Sequence, residues 1–201
     1  MNKSLSFLIC LVFLGPVLFT FSACSPVSPP VVYHSLVELD PADRKAESQK
    51  PLAILVGPVS TPDILKQSQI STGDTDGRYQ LSEQHRWAGD VDREFSRAIG
   101  ELLATRLGTE QIAIFPMGQD LEPTHQIILD ILAMDGALGE KANLMVRWSL
   151  VDPKSKAVQV MRRSSFSERT ADSSYDAWVS AQRRNVKRFS EEIAAAITAH
   201  H

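Results

Sequence analysis

Asn143-Leu144-Met145-Val146-Arg147-Trp148-Ser149-Leu150-Val151 decides the fold. Leu144, Val146, Trp148 and Leu150 alternate with Met145, Arg147 and Ser149, and a period of two places the first set on one face of a strand and the second on the other. Working upstream, Gly136 to Lys141 reads as a turn, and Thr124 to Met134 repeats the pattern with Ile127, Leu129, Ile131 and Ala133 on one face. Downstream, Asp152-Pro153-Lys154-Ser155-Lys156 is a compact turn and Ala157 to Ser167 a returning strand. Three strands in hairpin order imply an antiparallel sheet with one buried and one wetter face.

Two helical patterns flank these strands. In Asp90 to Leu107, Val91, Phe95, Ala98, Ile99, Leu102, Leu103 and Leu107 recur at three or four residues, and Gly108 stands where a C-terminal cap belongs. From Ser174 to Ala199 a second stripe holds Trp178, Val179, Val186, Phe189, Ile193, Ala196 and Ile197, with Ser173 or Ser174 placed to cap it. Shorter strands are expected at Val32 to Leu39, at Leu52 to Val56 before the Gly57-Pro58 turn, at Arg78 to Ser82 and at Ile112 to Phe115. Asp40 to Lys50 reads as a charged loop, Asp63 to Gln69 as a helical turn, and Ser71 to Gly77 as a polar turn. The expected class is α+β: a two-layer sandwich, its sheet mostly antiparallel with about five strands, both helices on one face.

Composition narrows the function. The chain of 201 residues carries 21 Lys and Arg against 24 Asp and Glu, a net charge of -3, which offers no basic face for nucleic acid. The two cysteines, Cys10 and Cys24, both lie at the N-terminus, leaving the rest of the chain no thiol nucleophile, disulfide framework or cysteine metal cage. His34, His85, His125, His200 and His201 have no metal-ligand spacing, and no hydrolase, phosphate-loop or dinucleotide motif occurs. No cofactor, no metal and no enzymatic activity are expected.

The N-terminus reads as an export signal. Lys3 precedes an apolar run from Leu5 to Phe21 that is interrupted by Gly15-Pro16, too short and too broken for a spanning helix. Phe21-Ser22-Ala23-Cys24 resembles the bacterial lipobox, which makes Cys24 the lipid-attachment residue and the first residue of the mature chain. Several acyl chains on one cysteine would anchor the protein effectively permanently. Ser25, rather than Asp, follows the cysteine, which by the enteric sorting rule favours the outer membrane. The expected organisation is a signal peptide at 1–23, a Pro/Ser-rich tether at 24–31 lifting the domain off the lipid, and a periplasmic domain at 32–199.

Several segments taken in order resemble the PqiC family, the auxiliary lipoproteins of ABC-type and MCE-type transport systems. They are Tyr33-His34-Ser35-Leu36, then Leu55-Val56-Gly57-Pro58-Val59-Ser60-Thr61-Pro62-Asp63, then His85-Arg86-Trp87-Ala88 opening a helix. The Asp135-Gly136 turn, Arg147-Trp148-Ser149-Leu150 and the helix from Tyr175 to Ile197 agree. The sequence departs from the family at His34, where a second Tyr is common, and at Gly89-Asp90. The resemblance implies partners: an MCE-domain protein forming a periplasmic channel for lipids or other hydrophobic molecules, and an inner-membrane permease-like protein. It also implies a homo-oligomeric ring at the outer membrane.

Arg86 and Trp87 are candidate interface residues, because Trp and Arg dominate binding hot spots. The competing reading makes Trp87 a core plug at the start of the first helix, with Arg86 bonding loop carbonyls. Gly57, Pro58 and Val59 form a second candidate motif whose simpler role is to fix a strand-to-loop turn. The polar stretch from Pro62 to Gly77 is an assembly surface or a solvated loop. Arg183-Arg184 and Lys187-Arg188 read as a solvated basic helix face, with contact to anionic lipid or an acidic partner as the alternative. The alternative to docking is a monomeric carrier of a lipid or small ligand, which requires an apolar cavity large enough for an acyl chain.

Overall fold

Leu144, Val146, Trp148 and Leu150 are all buried to within 1% and form the middle of the core. The computed structural model describes residues 29–38, 52–73, 76–116 and 121–200. The signal peptide, Cys24 and the expected loop at Asp40 to Lys50 lie outside the described residues. The elements in chain order are β1 (Val32–His34), β2 (Ile54–Ser60), a 3₁₀ turn (Asp63–Lys66), β3 (Gln69–Gly73), β4 (Tyr79–Trp87) and α1 (Val91–Leu107). They continue with β5 (Ile112–Ile114), β6 (His125–Asp135), β7 (Lys141–Val151), β8 (Val158–Arg169) and α2 (Tyr175–His200).

A five-stranded sheet has the order β5-β2-β6-β7-β8, and a three-stranded sheet has the order β1-β4-β3. The three strands read from the sequence are the antiparallel half of the larger sheet, with Leu129 opposite Trp148 and Trp148 opposite Arg162. The other half is parallel, because β2 pairs with β5 on one side and β6 on the other in the same direction. The α+β class therefore holds, with a mixed sheet in place of a mostly antiparallel one. The crossover through α1 permits the parallel pairing, as parallel neighbours need a long connection.

Both helices pack on one face of this sheet. Phe95 of α1 meets Phe189 of α2 with ring centroids 6.1 Å apart, and Phe189 meets Trp148 edge-on at 6.0 Å. Edge-on geometry suits the ring quadrupoles. Gly108 caps α1 in the left-handed conformation, its N–H donating to Ala104 O. Ser174 caps α2 through Ala177 N–H to Ser174 Oγ at 3.1 Å. Two amides of α2 are wholly buried: Gln182 donates to Asp135 O and Asn143 O, and Asn185 donates to Ala142 O.

Four expectations are corrected. β2 does not stop at Gly57-Pro58 but runs to Ser60, with a register shift between Val56 and Val59 that absorbs the proline, as bulges do. A shift between Ile131 and Ala133 moves β6 by one residue, so the buried position, at 1% exposure, falls to Met134 in place of Ala133. Ser71 to Gly73 belong to β3 rather than a turn: their backbone pairs with β4, and Ser71 and Thr72 are buried against their polar composition. Finally, Trp87 ends a strand, and α1 begins only at Val91, after Ala88 and Gly89.

The junction of the two sheets is Gly136, at φ +114 in the turn between β6 and β7. Its carbonyl accepts from Gly73 N–H of β3 and from Trp178 Nε1 of α2, both at 3.2 Å. A Cβ at Gly136 would stand 2.1 Å from Lys141 O.

Candidate functional site

The densest polar constellation lies where the small sheet meets the start of α2. His34, at the end of β1, is buried at 6%, and its Nε2 lies 2.9 Å from His85 Nδ1 in β4. Its Nδ1 faces Asp176 Oδ1 at 3.5 Å. The His85 ring stacks on Tyr175 at 4.3 Å and 17°. One hydrogen is shared between the two imidazoles, so one nitrogen donates and the other offers its lone pair. The network tolerates one positive charge; two would set N–H against N–H. Burial lowers the His34 pKa below the ordinary 6.5, Asp176 pulls it back up, and His85 and Arg183 push it down.

The segment after β1 is stapled to both helices. Ser35 Oγ donates to Glu94 Oε2 of α1 at 2.5 Å, and Leu36 N–H donates to the same oxygen at 3.2 Å. Arg183 of α2 donates through Nε and Nη2 to Ser35 O at 3.0 and 2.8 Å. Glu94 is 5% exposed, a buried carboxylate that these donors satisfy in part. Proton sharing is the one chemical capacity of this cluster; among the described residues no three side chains are placed to hold a metal. Spacing could not reveal it, because His34 and His85 are 51 residues apart and meet only through the parallel pairing of β1 with β4.

The candidate motifs sit in different sheets. Gly57 is buried in β2, where a Cβ would lie 2.8 Å from Phe115 Cβ, and its carbonyl accepts from Gln126 Nε2. Pro58 is exposed and Val59 half-buried. In β4, Trp87 is 3% exposed and leans on Trp178 at 6.3 Å, so it plugs the core from the end of a strand. Arg86 stands in register with Tyr33 of β1 and Gln69 of β3, and its buried Nε has no hydrogen-bond partner among the described residues. The basic run of α2 is spent on neighbours: Arg184 and Arg188 pair with Glu168 of β8, and Arg188 also covers the Phe166 ring at 5.6 Å.

The face of the five-stranded sheet turned away from the helices has no helix over it among the described residues. One row across it is Ile128, Ser149 and Met161, with Ile128 38% and Met161 66% exposed. The next row is Ser60, Asp130, Arg147 and Arg163, tied by Ser60 Oγ to Asp130 at 2.6 Å and Arg147 to Asp130 at 3.5 Å. A cleft of about 220 Å³ between the helices is lined by Glu38, Glu101, Arg183 and Lys187 together with Leu36 and Leu102. Another of about 480 Å³ is lined by Ser60, Lys66, Asp90 and Asp92.

Residues 34–194 match the family model described as ABC-type transport auxiliary lipoprotein component. The chain belongs to this family. The match spans both sheets and both helices and agrees with the PqiC-like resemblance of the sequence. Among solved structures, an uncharacterized protein superposes with a TM-score of 0.66 at 16% identity, over 84% of this chain and 99% of that one. A Xanthomonas campestris protein of the DUF330 family superposes with a TM-score of 0.65 at 14% identity, over 86% and 97%. At such identities the two establish the fold. No curated protein matches the chain.

Membership in the auxiliary-lipoprotein family makes the chain a component of a transport system, and an auxiliary component works with partners. The family is a lipoprotein family and not a class of enzymes. Among the described residues no helix is long and apolar enough to cross a membrane.

Proposed function

We propose that this auxiliary lipoprotein is anchored to the outer membrane through Cys24. Its folded domain docks with an MCE-type periplasmic channel, served by an inner-membrane permease-like protein, that moves lipids or other hydrophobic molecules. The protein acts by contact and not by catalysis. The observation that carries this reading is the sheet face with no helix over it among the described residues, where exposed Ile128 and Met161 lie one row from Asp130, Arg147 and Arg163. Exposed apolar side chains beside a charged row have the mixed composition of a protein–protein contact.

The core supports docking over carriage. Trp148, Trp178, Phe95 and Phe189 are all fully buried, with Phe95 and Trp148 both against Phe189, and they fill the space between helices and sheet. Repetition of the domain around an axis would match a multimeric channel and multiply weak contacts. The test mixes the acylated mature protein with its purified MCE partner and measures mass by native mass spectrometry. A complex with several copies of the lipoprotein, lost in Met161→Asp, is expected. A monomer that leaves the membrane extract with a bound lipid would overturn docking in favour of a carrier.

A further inference from the structure

We propose that the entry edge of the small sheet, formed by Val31, Val32 and Tyr33 with Arg86 beside them, rests on the phospholipid surface to which the chain is tethered. This rests on the reading of Cys24 as the acylated residue. Val31, Val32 and Tyr33 are 41%, 42% and 64% exposed, three consecutive apolar or aromatic side chains at the first described element. Among the described residues β1 pairs with β4 alone, so its other edge has no strand beside it there. β1 runs parallel to β4 with Val32 opposite His85, so β4 extends beyond the entry end of β1, and on that extension Tyr79 and Leu81 are 42% and 43% exposed.

The occupant follows from the chain that leads to this edge. Only residues 25–30 separate Cys24 from the folded unit, and they are rich in proline and serine. Fully extended in the polyproline form, six residues reach roughly 19 Å. The thioether carrying the acyl chains sits at headgroup depth, so Val31, seven residue steps from Cys24, stands within roughly 22 Å of the lipid. A folded unit of this size has a radius of gyration of about 15 Å. A tether of that reach keeps the entry of β1 within about one domain radius of the bilayer, so the edge beside the attachment point has the shortest path to the lipid. Tethering makes the contact intramolecular, so side chains that would not hold a soluble protein to a membrane still engage.

The residue types suit that neighbour. Tyr belongs to the aromatic belt of membrane interfaces, its ring among the acyl ends and its hydroxyl in the headgroups. Arg86 shares a face with Tyr33 and is half-buried. A guanidinium so placed takes a phosphate oxygen, which a phospholipid layer supplies.

Cysteine usage provides the experiment. Cys10 is removed with the signal and Cys24 is consumed by acylation, so the mature chain carries no other thiol. Tyr33→Cys and, as the opposite reference, Met161→Cys are labelled with an environment-sensitive fluorophore. Each acylated protein is reconstituted in vesicles of phosphatidylethanolamine and phosphatidylglycerol, with circular dichroism to verify folding. The probe at position 33 is expected to shift to the blue and to lose at least half its emission to nitroxide-bearing lipids; the probe at 161 is expected to do neither. Protein that floats with the vesicles while the position-33 probe stays water-like overturns the contact and leaves the anchor intact. A position-33 probe that is shielded but unquenched by the lipids, with multimers in solution, assigns the edge to self-association and overturns the contact. Quenching at 161 alone overturns it as well. Protein that fails to float at all removes the anchor, and the contact falls with it.

Discussion

Replacing Gly136 by alanine tests how the two sheets are joined. The residue sits at φ +114, a region that side-chain-bearing residues occupy at a cost of about 1–3 kcal/mol. The added Cβ would also lie 2.1 Å from Lys141 O and 3.0 Å from Ala142 Cα, both backbone atoms of the β7 start that cannot swing aside. Forced displacement in a packed region adds a further ~1–3 kcal/mol. Because the Gly136 carbonyl holds Gly73 N–H and Trp178 Nε1, the shift loosens β3 and α2 together. The combined loss of about 4 kcal/mol is a large part of a domain's usual stability. At roughly 2–4 °C per kcal/mol for a chain of this length, the melting temperature falls by ~10 °C. Gly77→Ala is the matched control, since Gly77 has φ +78 but nothing within 4 Å of an added Cβ, so it meets only the backbone cost. Thermal melts followed by far-UV circular dichroism, with tryptophan emission reporting the environment of Trp178, compare the two. If both variants melt at the same temperature, the steric account of Gly136 is wrong.

Other consequences are open to simpler tests. Ser164→Ala leaves Trp148 Nε1, now donating to Ser164 Oγ at 3.1 Å, buried without that partner, and a loss of ~1–3 kcal/mol is expected in urea titrations. Because the His34 pKa is lowered on folding, the native chain holds fewer protons than the unfolded chain just below the ordinary value of 6.5. Stability is therefore full above that value and declines as pH falls through it; melts across this range should show the decline, and His34→Gln should flatten it. Cys24→Ala should abolish palmitate incorporation and release the protein from membrane fractions; wild type that takes up no label would remove the anchor.

The antiparallel half of the large sheet and both helices are legible in the sequence because single periods run unbroken through them, as at Leu144 to Leu150 and at Trp178 to Ile197. Two shifts of register are not. Gly57-Pro58 looks like a terminator in one dimension, yet β6 supplies Gln126 to hold the Gly57 carbonyl, so the strand resumes beyond it. β3 is hidden because Gln69, Ser71 and Thr72 have the composition of a turn, and their place in a strand follows from pairing with β4. Trp87 invites a helix start one turn too early, because an aromatic residue before a polar break serves a strand end equally well. The cluster of His34, His85 and Asp176 has no linear trace, since three separate elements contribute one residue each.

Gln182 and Asn185, sealed beneath α2, constrain how the domain can move. Sliding that helix by one turn, about 5.4 Å, would strand both amides and the three carbonyls they serve in a dry interior. Ratchet-like displacement of the long helix is thereby barred, and a pull applied at one end of the domain must emerge at the other as motion of the whole body. A domain built this way moves as one stiff piece.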